Sequence, residues 1–199
     1  MKLVLASGNP GKLREIGAVL APLGIELVPQ SVLNIAEAEE PHATFLENAL
    51  AKARHASAAA KQPALADDSG LCVEALGGEP GVNSAYYAGR EGSREERDRR
   101  NNQKLLSRLK DDRAAYYACV MVLVRNPDDP RPLVAEGLWR GEIARTPRGA
   151  NGFGYDPLFF VPALGMTAAE LDPGRKNRIS HRGLALQRLM DSLGELGRR

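Results

Sequence analysis

Residues 63–89, PALADDSGLCVEALGGEPGVNSAYYAG, decide how the chain is read, because a short apolar run there ends in two adjacent carboxylates, a serine and a glycine. Ala64, Leu65 and Ala66 predict a buried strand. Asp67, Asp68, Ser69 and Gly70 then fall at its C-terminal end, where open α/β sheets form their ligand crevices. Successive strand residues point to opposite faces, so one acid faces a given crevice and the other is left for a different task. Carboxylate oxygens suit Mg2+ or Mn2+, which take one or two protein acids and complete their shell with water and substrate phosphates. Asp-Asp-Ser-Gly is also ordinary turn chemistry, and on this stretch alone both readings stand.

Upstream, Lys2 to Ala6 form a short strand running into Ser7, Gly8, Asn9, Pro10, Gly11 and Lys12, followed by a helical pattern through Leu13, Ile16, Val19 and Leu20. A strand, tight loop and helix aim backbone N–H groups and a helix N-terminus at the loop, which favours an anion, and Lys12 adds a mobile positive charge. The spacing is not that of a Walker A loop: Gly8 and Gly11 are too close, and Leu13 stands where the Mg2+-binding hydroxyl belongs. Ile25 to Val28 read as a second strand, and Asn34 to His42 as an acidic loop holding Glu37, Glu39 and Glu40. A capping box, Thr44 to Glu47, opens a helix reaching about Lys61, on which Asn48 and Lys52 share one face. Lys52 is then either a second phosphate ligand or a solvated lysine.

Downstream, Gly77, Gly78, Pro80 and Gly81 mark a loop. Ser93 and Glu96 cap an arginine-rich helix that reads as a solvated face and receives no chemistry. Ala115 to Val124 and Leu133 to Ala144 predict a long antiparallel hairpin, with Ala135, Trp139 and Ile143 inward and Glu136, Arg140 and Glu142 outward. Two βα units and a hairpin predict an α/β fold: a mixed central sheet with flanking helices, forming two lobes around a cleft within a single domain spanning 1–199. In Gly149 to Phe160, Phe153 and Tyr155 offer rings to stack on a planar ligand, with Gly154 between them and Asp156 as a hydrogen-bonding acid. Ser180, His181 and Arg182 open the last helix with cations at its positive end, a local violation that points to a ligand needing donors.

Bulk properties narrow the classes. Apolar residues at 43% and charged ones at 26% describe an ordinary globular chain, and a net charge of +2 is too mild for a nucleic-acid binder. No apolar run approaches a membrane span and the N-terminus lacks a leader pattern, so the expected location is the cytoplasm. Cys72 and Cys119 have neither zinc nor disulfide spacing and read as reduced core residues.

SGNPGK (7–12), TFLENALAKA (44–53), ADDSG (66–70), GGEPGVNSAYYAG (77–89), FGYDPLFF (153–160) and SHRG (180–183), in this order, resemble the inosine and xanthosine triphosphate pyrophosphatase family over nearly the whole chain. The resemblance implies an elongated mixed α/β fold, a homodimer, and Mg2+-dependent hydrolysis of a purine nucleoside triphosphate to monophosphate and pyrophosphate, with Mn2+ as a substitute. It puts Ser7, Gly8, Asn9, Pro10, Gly11 and Lys12 around the triphosphate and Glu39 and Asp68 at the metal, with Asp68 also the proton acceptor. It puts Ser69 against substrate, and Phe153, Gly154, Tyr155 and Asp156 at the base, completed by Lys176, His181 and Arg182. Donors from Arg182 or His181 would pair with a 6-keto oxygen and leave adenine mismatched. Asp68's two roles stand as alternatives, with Asp67 or a cation-activated water able to share the task. Glu39 is preferred to Glu40 from its distance to Thr44, and Tyr86 stands where the family usually has an arginine. A Maf-like pyrophosphatase of similar fold and a non-catalytic nucleotide binder are the rival readings.

Overall fold

The computed structural model describes residues 2–196. In chain order the strands are β1 (Lys2–Leu5), β2 (Glu26–Pro29), β3 (Ala64–Val73), β4 (Ala114–Val124), β5 (Leu133–Ile143), β6 (Phe159–Val161) and β7 (Met166–Thr167). The helices are α1 (Pro10–Leu20), α2 (Phe45–Ala60), α3 (Arg94–Arg108), α4 (Pro173–Ile179) and α5 (His181–Leu196). The strands form one mixed sheet of order β2-β1-β3-β4-β5-β6-β7. β1 pairs in parallel with β2 and β3, and β6 pairs antiparallel with β5 and β7. Parallel neighbours need long crossovers, which α1 and α2 supply; β4 and β5 need only the short turn between Val124 and Leu133.

The chain divides into two compact units. Among the described residues the first contains 2–68, 119–137 and 181–196. Its strands are apolar on both faces, as parallel strands covered on both sides must be. Leu3, Leu5, Leu65 and Met121 pack with Ile16 and Leu20 of α1 and Leu186 and Leu189 of α5. On the alternate face Val4, Ala6, Ala64, Ala66, Val120 and Val122 meet Ala49, Ala53 and Ala56, the small side chains of α2. Backbones lie close where α5 crosses β5: a Cβ on Gly137 would run into the His181 carbonyl and come within 2.6 Å of the Ala185 nitrogen.

The second unit is Ser69–Ala118 with Leu138–Ser180. Tyr117, Trp139 and Phe159 cluster at its centre, with the Phe159 ring 4.7 Å from Tyr117 and 5.0 Å from Trp139. The strand predicted to end at Ala66 runs on to Val73, so Asp67 to Gly70 are strand residues rather than a terminal turn. Gly70 explains part of this continuity, because a Cβ there would collide with the Gly81 carbonyl and lie 2.5 Å from Ser84 Oγ. Ser84 Oγ accepts from Leu71 N at 2.9 Å and donates to Gly81 O at 2.6 Å, stitching strand to loop.

Candidate active site

In the first unit β1 turns into α1 through the predicted anion loop. Asn9 caps the helix, its Oδ1 accepting from Gly11 N at 2.9 Å and Lys12 N at 3.3 Å, and Pro10 occupies the first turn, where no donor is needed. Ser7 Oγ accepts from Asn9 N at 3.2 Å and tightens the bend. Glu37 reaches back over this loop, since a Cβ on Gly8 would meet its carboxylate.

Lys12 extends from α1 to Asp67, with Nζ 3.0 Å from Oδ2. Arg182, on α5, brings Nε and Nη2 each to 3.3 Å of the same oxygen and pairs through Nη1 with Glu15. Asp67 and Arg182 are buried, so this is a charge-balanced cluster of two cations and two anions. Burial alone would raise the Asp67 carboxyl, but Lys12, Arg182 and Lys52 outweigh it and hold it well below the usual carboxylate range. Burial would likewise lower Arg182, yet Asp67 and Glu15 push it up. Asp67 is therefore a fixed anion and a poor proton acceptor. Arg182, a cation that looked misplaced at the start of α5, is matched by acids distant in sequence.

Asp68 takes the other face of the strand, as period-two alternation requires. Its Oδ1 accepts from Lys52 Nζ at 3.0 Å and its Oδ2 from Asn48 Nδ2 at 3.3 Å. Lys52 also pairs with Glu40, and Asn48 accepts from His42 N at 3.0 Å and donates to His42 O at 3.2 Å, tying the acidic segment to α2. Burial, the largest influence, pushes the Asp68 carboxyl up; Lys52 and Lys12 oppose it and Glu40 adds to it. Burial would lower Lys52, but Asp68, Glu40 and Asp67 outweigh it and raise its affinity for the proton. The two neighbouring acids thus differ in kind, one pinned as an anion and the other shifted toward holding a proton.

Among the described residues no three His, Cys, Asp or Glu side chains cluster to enclose a metal. The acids instead fit a hard cation that takes one or two carboxylates and draws the rest of its shell from water and phosphate. Each Asp68 oxygen holds one hydrogen bond and keeps a lone pair. Glu39 is exposed and makes no hydrogen bond or ion pair with the described residues, whereas Glu40 is committed to Lys52.

The second unit carries Ser69, half-buried on β3, and the Phe153–Asp156 turn. Asp156 Oδ2 accepts from Phe153 N at 2.8 Å and from Lys176 Nζ at 2.6 Å, and both charged groups are buried. Gly152 at φ 77° and Gly154 at φ 63° give the turn its left-handed positions, and a Cβ on Gly152 would strike the Asp156 carboxylate. The Phe153 ring is half-buried, with the Arg94 guanidinium 4.7 Å and Lys176 Nζ 5.1 Å from its centre. Tyr155 is not an open ring: it is 3% exposed, its hydroxyl donates to Ser84 O at 2.9 Å, and burial pushes its phenol up. Arg90 and Arg97 lie over the Tyr86 ring, at 4.1 and 5.5 Å, and bring cations to the position where the resemblance expects an arginine.

The fold thus gathers Ser7 to Lys12, Glu39, Asp68, His181 and Arg182 in the first unit and Ser69, Phe153 to Asp156 and Lys176 in the second. Sequence reasoning left out Asp98 and Asn102 of α3, which bond the Gly154 peptide. Their spacing of four residues on one helix face was the available signal.

Residues 3–192 match the model of the Ham1 family. A dITP/XTP pyrophosphatase of Burkholderia pseudomallei is 64% identical over 197 residues, covering 98% of this chain and 94% of that protein. One from Nitrosomonas europaea is 61% identical over 196 residues, covering 98% and 95%. Among solved structures, a HAM1 protein from Coxiella burnetii superimposes with a TM-score of 0.89 at 49% identity, covering 98% of this chain and 99% of that one.

Proposed function

This chain belongs to the Ham1 family, and from that membership we propose that it hydrolyses deaminated purine nucleoside triphosphates, dITP, XTP and ITP, to the monophosphate and pyrophosphate. The observation that carries the mechanism is the divergence of two adjacent carboxylates, Asp67 locked among cations and Asp68 shifted toward proton uptake. Attack of water at the α-phosphorus needs charge neutralisation on the phosphates, an oriented water and a base, with little covalent chemistry from the protein. Ser7 to Pro10 and the first turn of α1 receive the triphosphate, and Lys12 neutralises part of its charge. Asp68 takes the proton from the attacking water as the oxygen bonds to the α-phosphorus and the bond to pyrophosphate breaks. Lys52 stays beside Asp68 and opposes part of the rise that burial imposes on its carboxyl.

Glu39 would hold a divalent cation, Mg2+ with Mn2+ as substitute, with Asp68 joining it as the alternative to serving as base, while Glu40 keeps Lys52 in place. When bound, that cation supplies charge neutralisation at the phosphates. Phe153 stacks on the purine, with Gly154, Tyr155 and Asp156 shaping the turn and Ser69 touching substrate. Lys176, fixed by Asp156, donates to the 6-keto oxygen that hypoxanthine and xanthine share; adenine presents an amino group there and leaves donor facing donor. His181 and Arg182 complete the substrate set, Arg182 by way of Asp67. No helix among the described residues is long and apolar enough to cross a membrane. The working form proposed is a cytoplasmic homodimer in which residues 1–199 act as one catalytic domain.

Product analysis tests the reading. With Mg2+ present, ITP and XTP should give monophosphate plus pyrophosphate far faster than GTP, ATP or dTTP. Preferential cleavage of dTTP would move the assignment to a Maf-like pyrophosphatase, and no turnover of any nucleotide would leave a binding protein.

A further inference from the structure

Helix α3 is capped by a reciprocal Ser93–Glu96 box and is strongly charged, the pattern of a solvated surface helix. One of its faces does something more specific. Asp98 Oδ2 accepts from Gly154 N at 2.9 Å, and Asn102, one turn later, donates from Nδ2 to Gly154 O at 2.9 Å. Both polar groups of the Gly154 residue are therefore gripped by side chains four residues apart on a single rigid helix. Arg94, one turn before Asp98, lies over the Phe153 ring and pairs with Asp98 at 4.0 Å. Asp98, Asn102, Phe153 and Gly154 together line a hollow of about 430 Å³ with Leu106 and Pro147, so the turn and its grip face open space on one side. Gly154 itself has no side chain, and nothing lies within 4 Å of where its Cβ would be.

We propose that Asp98 and Asn102 are positioning residues for purine selection: they fix Gly154, and through it the Phe153 ring and the Asp156–Lys176 pair, in the geometry that reads the base. This rests on the reading of Phe153 to Asp156 as the base pocket. Asp156 on Phe153 N and Tyr155 on Ser84 O hold the rest of the turn, Asp98 and Asn102 are the side chains that hold Gly154 at its apex, and a base-reading ammonium displaced by about 1 Å loses much of its hydrogen bond. Asp98 accepts at Gly154 N with a charged group, the stronger of the two bonds. Both residues belong to the second unit, whereas Asp68 and the Ser7–Lys12 loop belong to the first, so their effect falls on substrate affinity and base preference and not on the chemical step.

Steady-state kinetics of Asp98→Ala and Asn102→Asp with ITP and ATP test this, alongside Phe153→Ala and inhibition by inorganic tripolyphosphate, which has no base. Asn102→Asp turns a donor toward the Gly154 carbonyl into an opposing acceptor. Both variants should raise the KM for ITP about tenfold with kcat within about twofold, lowering the ITP over ATP preference by a similar factor. Tripolyphosphate inhibition should be unchanged, and Asp98→Asn, which keeps an acceptor, should restore most of the preference. An unchanged ITP over ATP ratio in both variants, with the ratio lowered in Phe153→Ala, overturns the proposal and leaves the base pocket standing. An unchanged ratio in Phe153→Ala as well removes the base pocket and the proposal with it. Parallel losses in kcat, tripolyphosphate binding and thermal stability in both variants would assign α3 a merely structural role.

Discussion

Replacing Asp67 by Asn changes one oxygen for an amide at nearly constant volume, and the structure makes its consequence large. The carboxylate is 1% exposed and balances Lys12 at 3.0 Å and Arg182 at 3.3 Å. Without it Glu15 still answers Arg182, but Lys12 and Arg182 face each other across a buried amide. Breaking a buried ion pair by removing one partner typically destabilises by about 3–5 kcal/mol. For a chain of this length each kcal/mol moves the melting point by about 2–4 °C, so Asp67→Asn should melt roughly 10 °C lower. The pH dependence is equally specific. The folded-state pKa of Asp67 is depressed, so its contribution is fully present above its unfolded value, near 3.8, and is lost as pH falls through the lower folded value. Melting curves followed by circular dichroism should therefore show a constant gap between the two proteins from pH 8 to about pH 5, closing only in stronger acid. A gap under about 2 °C at pH 7, or one that closes between pH 7 and 5, would refute the charge-cluster argument.

Asp68→Asn should behave in the opposite way, lowering kcat by at least about a hundredfold as a general base is lost while the melting point shifts by only a few degrees; turnover near the parent rate removes Asp68 from the mechanism. Arg182→Ala should depress ITP and ATP hydrolysis by the same factor, because its guanidinium is spent on Asp67 and Glu15; a selective loss on ITP would show that it reads the base. Glu39→Gln should raise the Mg2+ concentration needed for half-maximal rate more than Glu40→Gln does, as measured by Mg2+ titration after chelation; equal shifts would remove Glu39 from the metal site. Gly137→Ala should destabilise the fold by about 2 kcal/mol or more in urea unfolding, since its Cβ meets the backbone of α5; a neutral result would mean that α5 can shift.

Much of the architecture is local and was legible. The β1 strand, the bend at Asn9 and the α1 stripe follow from neighbouring residues, as do the Thr44–Glu47 and Ser93–Glu96 caps. Strand alternation separated Asp67 from Asp68 before any contact was known. What stayed hidden depends on partners far along the chain. Two acids in succession suggest a solvated turn unless Lys12, 55 residues away, and Arg182, 115 residues away, are seen to pair with Asp67 and Lys52 with Asp68; with those cations in place the strand continues to Val73. The same pairing accounts for Arg182 at the start of α5, whose oddity was visible in the sequence but whose cause was not. Asp98 and Asn102 escaped because their partner is backbone at Gly154, and a peptide group has no sequence signature.

Hydrolysis of ITP in ¹⁸O-labelled water, with both products resolved by mass spectrometry, tests the central claim most directly. Attack at the α-phosphorus predicts label in the inosine monophosphate and none in the pyrophosphate. Label in the pyrophosphate would place the attack at the β-phosphorus and contradict the roles assigned to Asp68 and the anion loop.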